Sequence, residues 1–116
     1  THETATSALD ALALLRDGWA DVDSVAPSAE SIEAARPIAR ALVDAGAEFE
    51  IDGDVNGHSS IAVYGDNGRH AWFSVIHREC VVLAISGNES PRTMRVDIGS
   101  LSPYIDLAIK WTKGTP

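Results

Sequence analysis

"EFEIDGDVNGHSSIAVYGDNGRHAWFSVIHRECVVLAIS", residues 48–86, is where the apolar pattern changes period, and it decides the fold. Phe49 and Ile51 alternate with carboxylates, and 58–64, 69–77 and 80–86 continue as runs rich in β-branched and aromatic residues. Alternation with period two is the mark of a strand with one face on a core. "TMRVD", residues 93–97, reads as a short fifth strand. Connections this short join antiparallel neighbours, and Asn67-Gly68 is the strongest two-residue hairpin signal in the chain.

Outside this stretch the period is helical. Ala5, Leu9 and Leu12 with Ala8 and Leu15 predict a first helix over 4–17, ended by Gly18. Ser28 caps a second, with Glu30 in its first turn and a stripe of Ile32, Ala35, Ala39 and Leu42 running to Gly46. Pro37 forfeits one hydrogen bond inside it, at about 3 kcal/mol unless the helix bends, and a kink rather than a break is expected because the stripe keeps phase. Ser102 as N-cap and Pro103 at the first position open a third helix carrying Tyr104, Leu107, Ala108 and Trp111. The expected fold is therefore α+β: one domain over 1–116, with two N-terminal helices, a mainly antiparallel sheet of four to five strands and one C-terminal helix.

A two-residue turn at Asn67-Gly68 would pair Val63 with Trp72 and His58 with His77, and a second at Arg78-Glu79 would pair His77 with Cys80. One face would then hold Ile61, Val63, Trp72, Ile76, Val81, Leu83 and Ile85. The other, with Ala62, Tyr64, Phe73, Val75, Val82 and Ala84, is too apolar to leave in water, so a helix, a second chain or a partner should cover it. Two helices are expected on the first face and the third partly over the second.

Two constellations could carry chemistry. Asp52, Asp54, Asn56 and Gly57 match the opening of a calcium loop, but the bidentate glutamate position holds Val63 and the flanks alternate like strands. A tight turn needs the same residue types, and the loop is read as a turn. His58, His77 and Cys80 would stand side by side in the register above, the makings of a zinc site or a zinc- or thiol-dependent enzyme. That alternative depends on two turn registers and lacks a fourth ligand and a second shell. No cofactor is expected, and no Gly-x-Ser-x-Gly, Cys-x-x-Cys or His-Glu-x-x-His occurs.

Charge is more telling. The net charge is −8, and residues 17–54, with ten acids against Arg36 and Arg40, account for all of it. Such a field repels nucleic acid and attracts basic surfaces. The single cysteine excludes an internal disulfide. No apolar run approaches the ~20 residues of a membrane span, nor does the N-terminus resemble a signal peptide, so a cytoplasmic protein is expected.

"LLRDGWADVDSVAPSAESIEAA", residues 14–35, resembles the N-terminus of a loose group of small bacterial proteins with no settled activity. Their pattern is an apolar helix, Gly-Trp-Asp-Gly, an Ala-Pro-rich linker and a Ser-x-Glu-capped helix leading into antiparallel strands. Gly18, Trp19, Pro27, Ser28 and Glu30 fit, whereas Ala20 and Asp21 stand where the pattern has Asp-Gly. The resemblance implies the fold and hints at mobile-element or defence contexts, and it supplies no catalytic residue.

The expected function is therefore non-catalytic binding and inhibition of a basic, nucleic-acid-handling protein, of antitoxin, immunity or phage anti-defence type. Asp17, Asp21, Asp23, Glu48, Glu50, Asp52 and Asp54 would oppose its Arg/Lys groove. No direct contact with nucleic acid or membrane is expected, and a plain dimerisation module is the third alternative.

Overall fold

A computed structural model describes residues 1–66, 68–87 and 91–114. The elements in chain order are α1 (His2–Leu12), α2 (Ala29–Asp44), β1 (Phe49–Gly53), β2 (Ser59–Val63), β3 (His70–His77), β4 (Cys80–Ser86), β5 (Arg92–Arg95), a 3-10 turn (Ile98–Ser100) and α3 (Ser102–Thr112). The strands form one antiparallel sheet in the order of the chain, β1-β2-β3-β4-β5. The α+β class, with helices at both chain ends and a five-stranded antiparallel sheet between, is as the periodicity predicts.

The stripe of α2 is buried through Ile32, Ala35, Ile38, Ala39 and Leu42, and the helix runs unbroken through Pro37. Ser28 caps it by accepting from the Ser31 N–H, and Gly46 follows in the left-handed region at φ 73°. Arg36 bridges Glu33 at 3.0 Å and Asp10 of α1 at 2.9 Å. Those bonds, Glu33 first, raise its pKa further above its ordinary value. Three helix boundaries differ from expectation. α1 begins at His2 rather than Thr4, with Thr1 as its cap. α1 ends at Leu12, five residues before Asp17, because tight i→i+3 bonds to Ala11 and Leu12 turn Leu14 and Leu15 out of the helix. Gly18 belongs instead to the following loop, where its N–H donates to the Ser24 carbonyl at 2.8 Å. In α3, Ser102 lies within the helix: Leu101 takes the cap position without a side-chain bond, and Ile105, Ala108 and Thr112 are the buried positions.

The β2–β3 register is one residue away from the expected one: Val63 pairs with Ala71, not Trp72. The connection from Val63 to Ala71 is therefore odd in length, although the Arg69 N–H donates to the Asp66 carbonyl (3.1 Å) and Gly68 has a φ of 74°, as the expected Asp66–Arg69 closure requires; Asn67 lies outside the described residues. A one-residue slip exchanges the faces of a strand. Ala71, Phe73 and Val75 thus turn inward beside Ile61, Val63, Val81, Leu83 and Ile85, while Trp72, Ser74 and Ile76 turn outward.

The inner face and all three helices share one apolar core, in which Leu9, Ile38, Leu42, Phe73 and Leu83 are almost wholly buried. The expectation that α3 covers part of the second face is not met. Ala62, Trp72, Ile76, Val82 and Ala84, on the opposite face, lie outside the core cluster that the three helices share, although Ala84 is itself buried. No described helix is long and apolar enough to cross a membrane.

Candidate functional site

The connector between α1 and α2 and the β1–β2 turn together contain five carboxylates and neither lysine nor arginine over 17–28 and 52–58. A parallel bridge between Val25 and Asn56 joins the two segments. The Val25 N–H donates to the Val55 carbonyl at 2.8 Å and the Ser28 N–H to the Gly57 carbonyl at 2.9 Å. Trp19 anchors the connector, its indole N–H donating to the Val25 carbonyl at 3.1 Å. Buried Pro27 lies beside it, over Gly53, where a Cβ would stand 2.9 Å from Pro27 Cγ. Trp19 of the Gly-Trp pattern thus packs against a glycine of β1.

Four of the five carboxylates are held by the backbone they cap. Asp17 accepts from the Ala26 N–H at 3.0 Å, Asp21 from Asp23 at 3.0 Å and Asp52 from Gly53 at 2.8 Å. Asp54 accepts from Asn56 at 2.7 Å and His58 at 3.3 Å. Buried Ser24 accepts from the Ala20 and Asp21 N–H groups and donates to the Asp21 carbonyl. Such capping is what Asp and Asn do in a turn, and the calcium-like stretch closes the hairpin, as read from sequence. Charges fixed in this way need little ordering when a partner arrives.

The same end carries exposed apolar side chains. Val22 is 92% exposed, Leu14 78%, Val25 47% and Val55 45%, four of the five exposed large hydrophobic residues among the described ones. Apolar anchors within a charged rim are the usual composition of a protein-binding patch. The charge count could not locate them, although "DVDSV" and "GDVNG" both set valine among acids in segments without periodicity.

The structure brings Asp17, Asp21, Asp23, Asp52 and Asp54 to this end but not Glu48 and Glu50, which lie at the far end of β1. Glu50 points onto the open face and accepts from the Tyr64 hydroxyl. That bond, then burial and the repulsion of the carboxylate, raises the Tyr64 pKa above its ordinary 10.0. Glu50→Gln is expected to bring the Tyr64 titration back toward the ordinary value, read from phenolate absorbance. An unchanged midpoint would detach the two side chains.

His58, His77 and Cys80 do not form the expected row. His77 pairs with Cys80 across Arg78-Glu79, but the slip in β2–β3 removes His58 from opposite His77. His77 Nδ1 accepts from the Glu79 N–H at 3.1 Å, and His58 Nδ1 lies 3.5 Å from Asp54 Oδ2. No group of three His, Cys, Asp or Glu side chains placed to hold a metal occurs among the described residues. A cleft between α2 and the β3–β4 turn mixes the carboxylates Glu30, Glu33 and Glu79 with Arg78, His77 and apolar Ala34, Pro37 and Ile98.

Comparison of the chain with protein-family models, with curated proteins and with solved structures found no match.

Proposed function

We propose that the protein is a non-catalytic binding module whose acidic, valine-tipped end docks on a basic protein surface. The observation that carries this reading is the Val25–Asn56 bridge, which joins two acidic loops and their exposed valines into one patch. Rigid carboxylates would meet a Lys/Arg groove and steer the encounter, while Val22, Val25 and Val55 would supply the desolvated contact. Basic grooves of that extent are the mark of nucleic-acid-handling proteins. Occupying one would inhibit it, as an antitoxin, immunity or anti-defence protein does.

The test is recovery of a cross-linked partner at low salt, followed by binding measurements with the purified pair. The partner is expected to be basic, and binding is expected to weaken by about tenfold or more as salt rises from 0.05 to 0.5 M, mostly through the association rate. Asp17→Asn, Asp21→Asn and Asp23→Asn combined should flatten that salt dependence. An acidic partner, or binding indifferent to salt and to the triple variant, would refute the reading.

A further inference from the structure

The open face of the sheet is ordered in rows. Asp52, Ser60, Ser74, Val82 and Arg95 are successive register partners across the five strands, and Glu50, Ala62, Trp72, Ala84 and Thr93 form the next row. Both acids stand on β1 and the cation on β5, with only apolar or small hydroxyl side chains between them. Trp72 is at the centre, on the middle strand. The indoles of Trp19 and Trp111 donate to carbonyls, of Val25 and Ser86, whereas Trp72 has no such acceptor among the described residues.

We propose that this face is the interface of a symmetric homodimer, two sheets packed face to face about a two-fold axis parallel to β3. The inference goes beyond the docking of the acidic end and uses a different surface, which shares only Asp52 with that end. Rotation about that axis exchanges β1 and β5 while keeping each row at its own level. Asp52 of one protomer then faces Arg95 of the other, twice, and Trp72 meets Trp72 near the axis. Aligned sheets pack ~10 Å apart with strand directions within about 30° of each other, a gap that an extended Asp–Arg pair spans. Arg95 donates to the Glu79 carbonyl at 2.9 Å, and the rest of its guanidinium fork remains to reach across. The other face-to-face arrangement, with the axis across the strands, sets β1 on β1 and acid on acid, which charge repulsion disfavours.

Five strands ~4.8 Å apart and about six residues long make a plate of roughly 24 by 20 Å. Two such plates bury about 1,000 Å² in total, the lower bound for a specific interface, so association in roughly the micromolar range is expected. The same axis places both β1–β2 turns at one end of the dimer, side by side.

Sedimentation from about 1 µM to 0.5 mM should show mass rising from 12.3 kDa to twice that value. Asp52→Arg and Arg95→Asp should each weaken self-association at least about tenfold, since each sets like charges opposite one another. Mixing the two single variants should restore it, because in the mixed pair both contacts regain opposite charges. Trp72→Lys should give a monomer, and circular dichroism on every variant verifies the fold. Monomer at every concentration, whether the face stays wet or takes a different protein, overturns the proposal. So does a dimer indifferent to Trp72→Lys, or a mixture no better than either variant alone.

Discussion

Ser31→Ala is expected to destabilise the protein by about 2–4 kcal/mol, a large effect for the loss of one oxygen. Ser31 lies on α2, wholly buried against the end of the sheet. Its hydroxyl accepts from the Ser59 N–H at 2.7 Å and donates to the Val75 carbonyl. Val75 borders the register shift in β3, and there the helix hydroxyl binds its carbonyl. Alanine would orphan a donor and an acceptor together, each at about 1–3 kcal/mol, against a gain of about 0.5 kcal/mol in helix propensity. Ser59→Ala is the control. It keeps the Ser59 N–H bonded to Ser31 and loses only the contacts of the Ser59 hydroxyl with Ser31 Oγ (2.8 Å) and the Ser31 carbonyl (3.3 Å), so about 1 kcal/mol is expected. Denaturant unfolding measures both. Equal losses would remove Ser31 from its place as the hinge pin of the helix–sheet contact.

Gly65→Ala should be comparably damaging for a steric reason. A Cβ there would stand 2.6 Å from both Cβ and the carbonyl oxygen of Thr112, and 2.7 Å from the Arg69 carbonyl oxygen. Two of these neighbours are main chain and cannot rotate away, so α3 must part from the β2–β3 connection. Overpacking of that kind costs about 1–3 kcal/mol, and loss of the adjacent Asp66 N–H to Thr112 carbonyl bond (2.9 Å) adds about 1 kcal/mol. For a domain of this size the melting temperature should fall by roughly 10 °C. Hydrogen exchange at the Asp66 amide should quicken in step. An unshifted melt with a protected amide would show that α3 accommodates the methyl.

The sequence made the elements legible because periods of two and 3.6 survive without knowledge of tertiary contacts. Strand order was legible for the same reason, since short turns leave adjacent strands little choice. The β2–β3 register was not. Asn67-Gly68 signals a two-residue turn, but the Asp66 amide is bound to Thr112, a residue remote in sequence. That one slip carried Trp72 outward and dismantled the His58–His77–Cys80 row. Likewise, the length of α1 was overestimated because Leu14 and Leu15 continue the apolar pattern beyond the last helical bond, where Leu15 packs on the core and Leu14 stays 78% exposed. The acidic stretch was legible as charge but not as shape. Nothing local in 17–54 says that the connector lies along one hairpin turn and that Glu48 and Glu50 lie apart from it.

Strand order that follows chain order bears on how the protein folds. Each strand finds its partner across a short loop, so little chain entropy is lost before a contact forms, and sheet assembly can proceed hairpin by hairpin like a zipper. The distant contacts are those of the helices, above all Ser31 with Ser59 and Thr112 with Gly65. Rates measured on variants at these two junctions should respond mainly in the unfolding limb, because docking of the helices completes a sheet already formed.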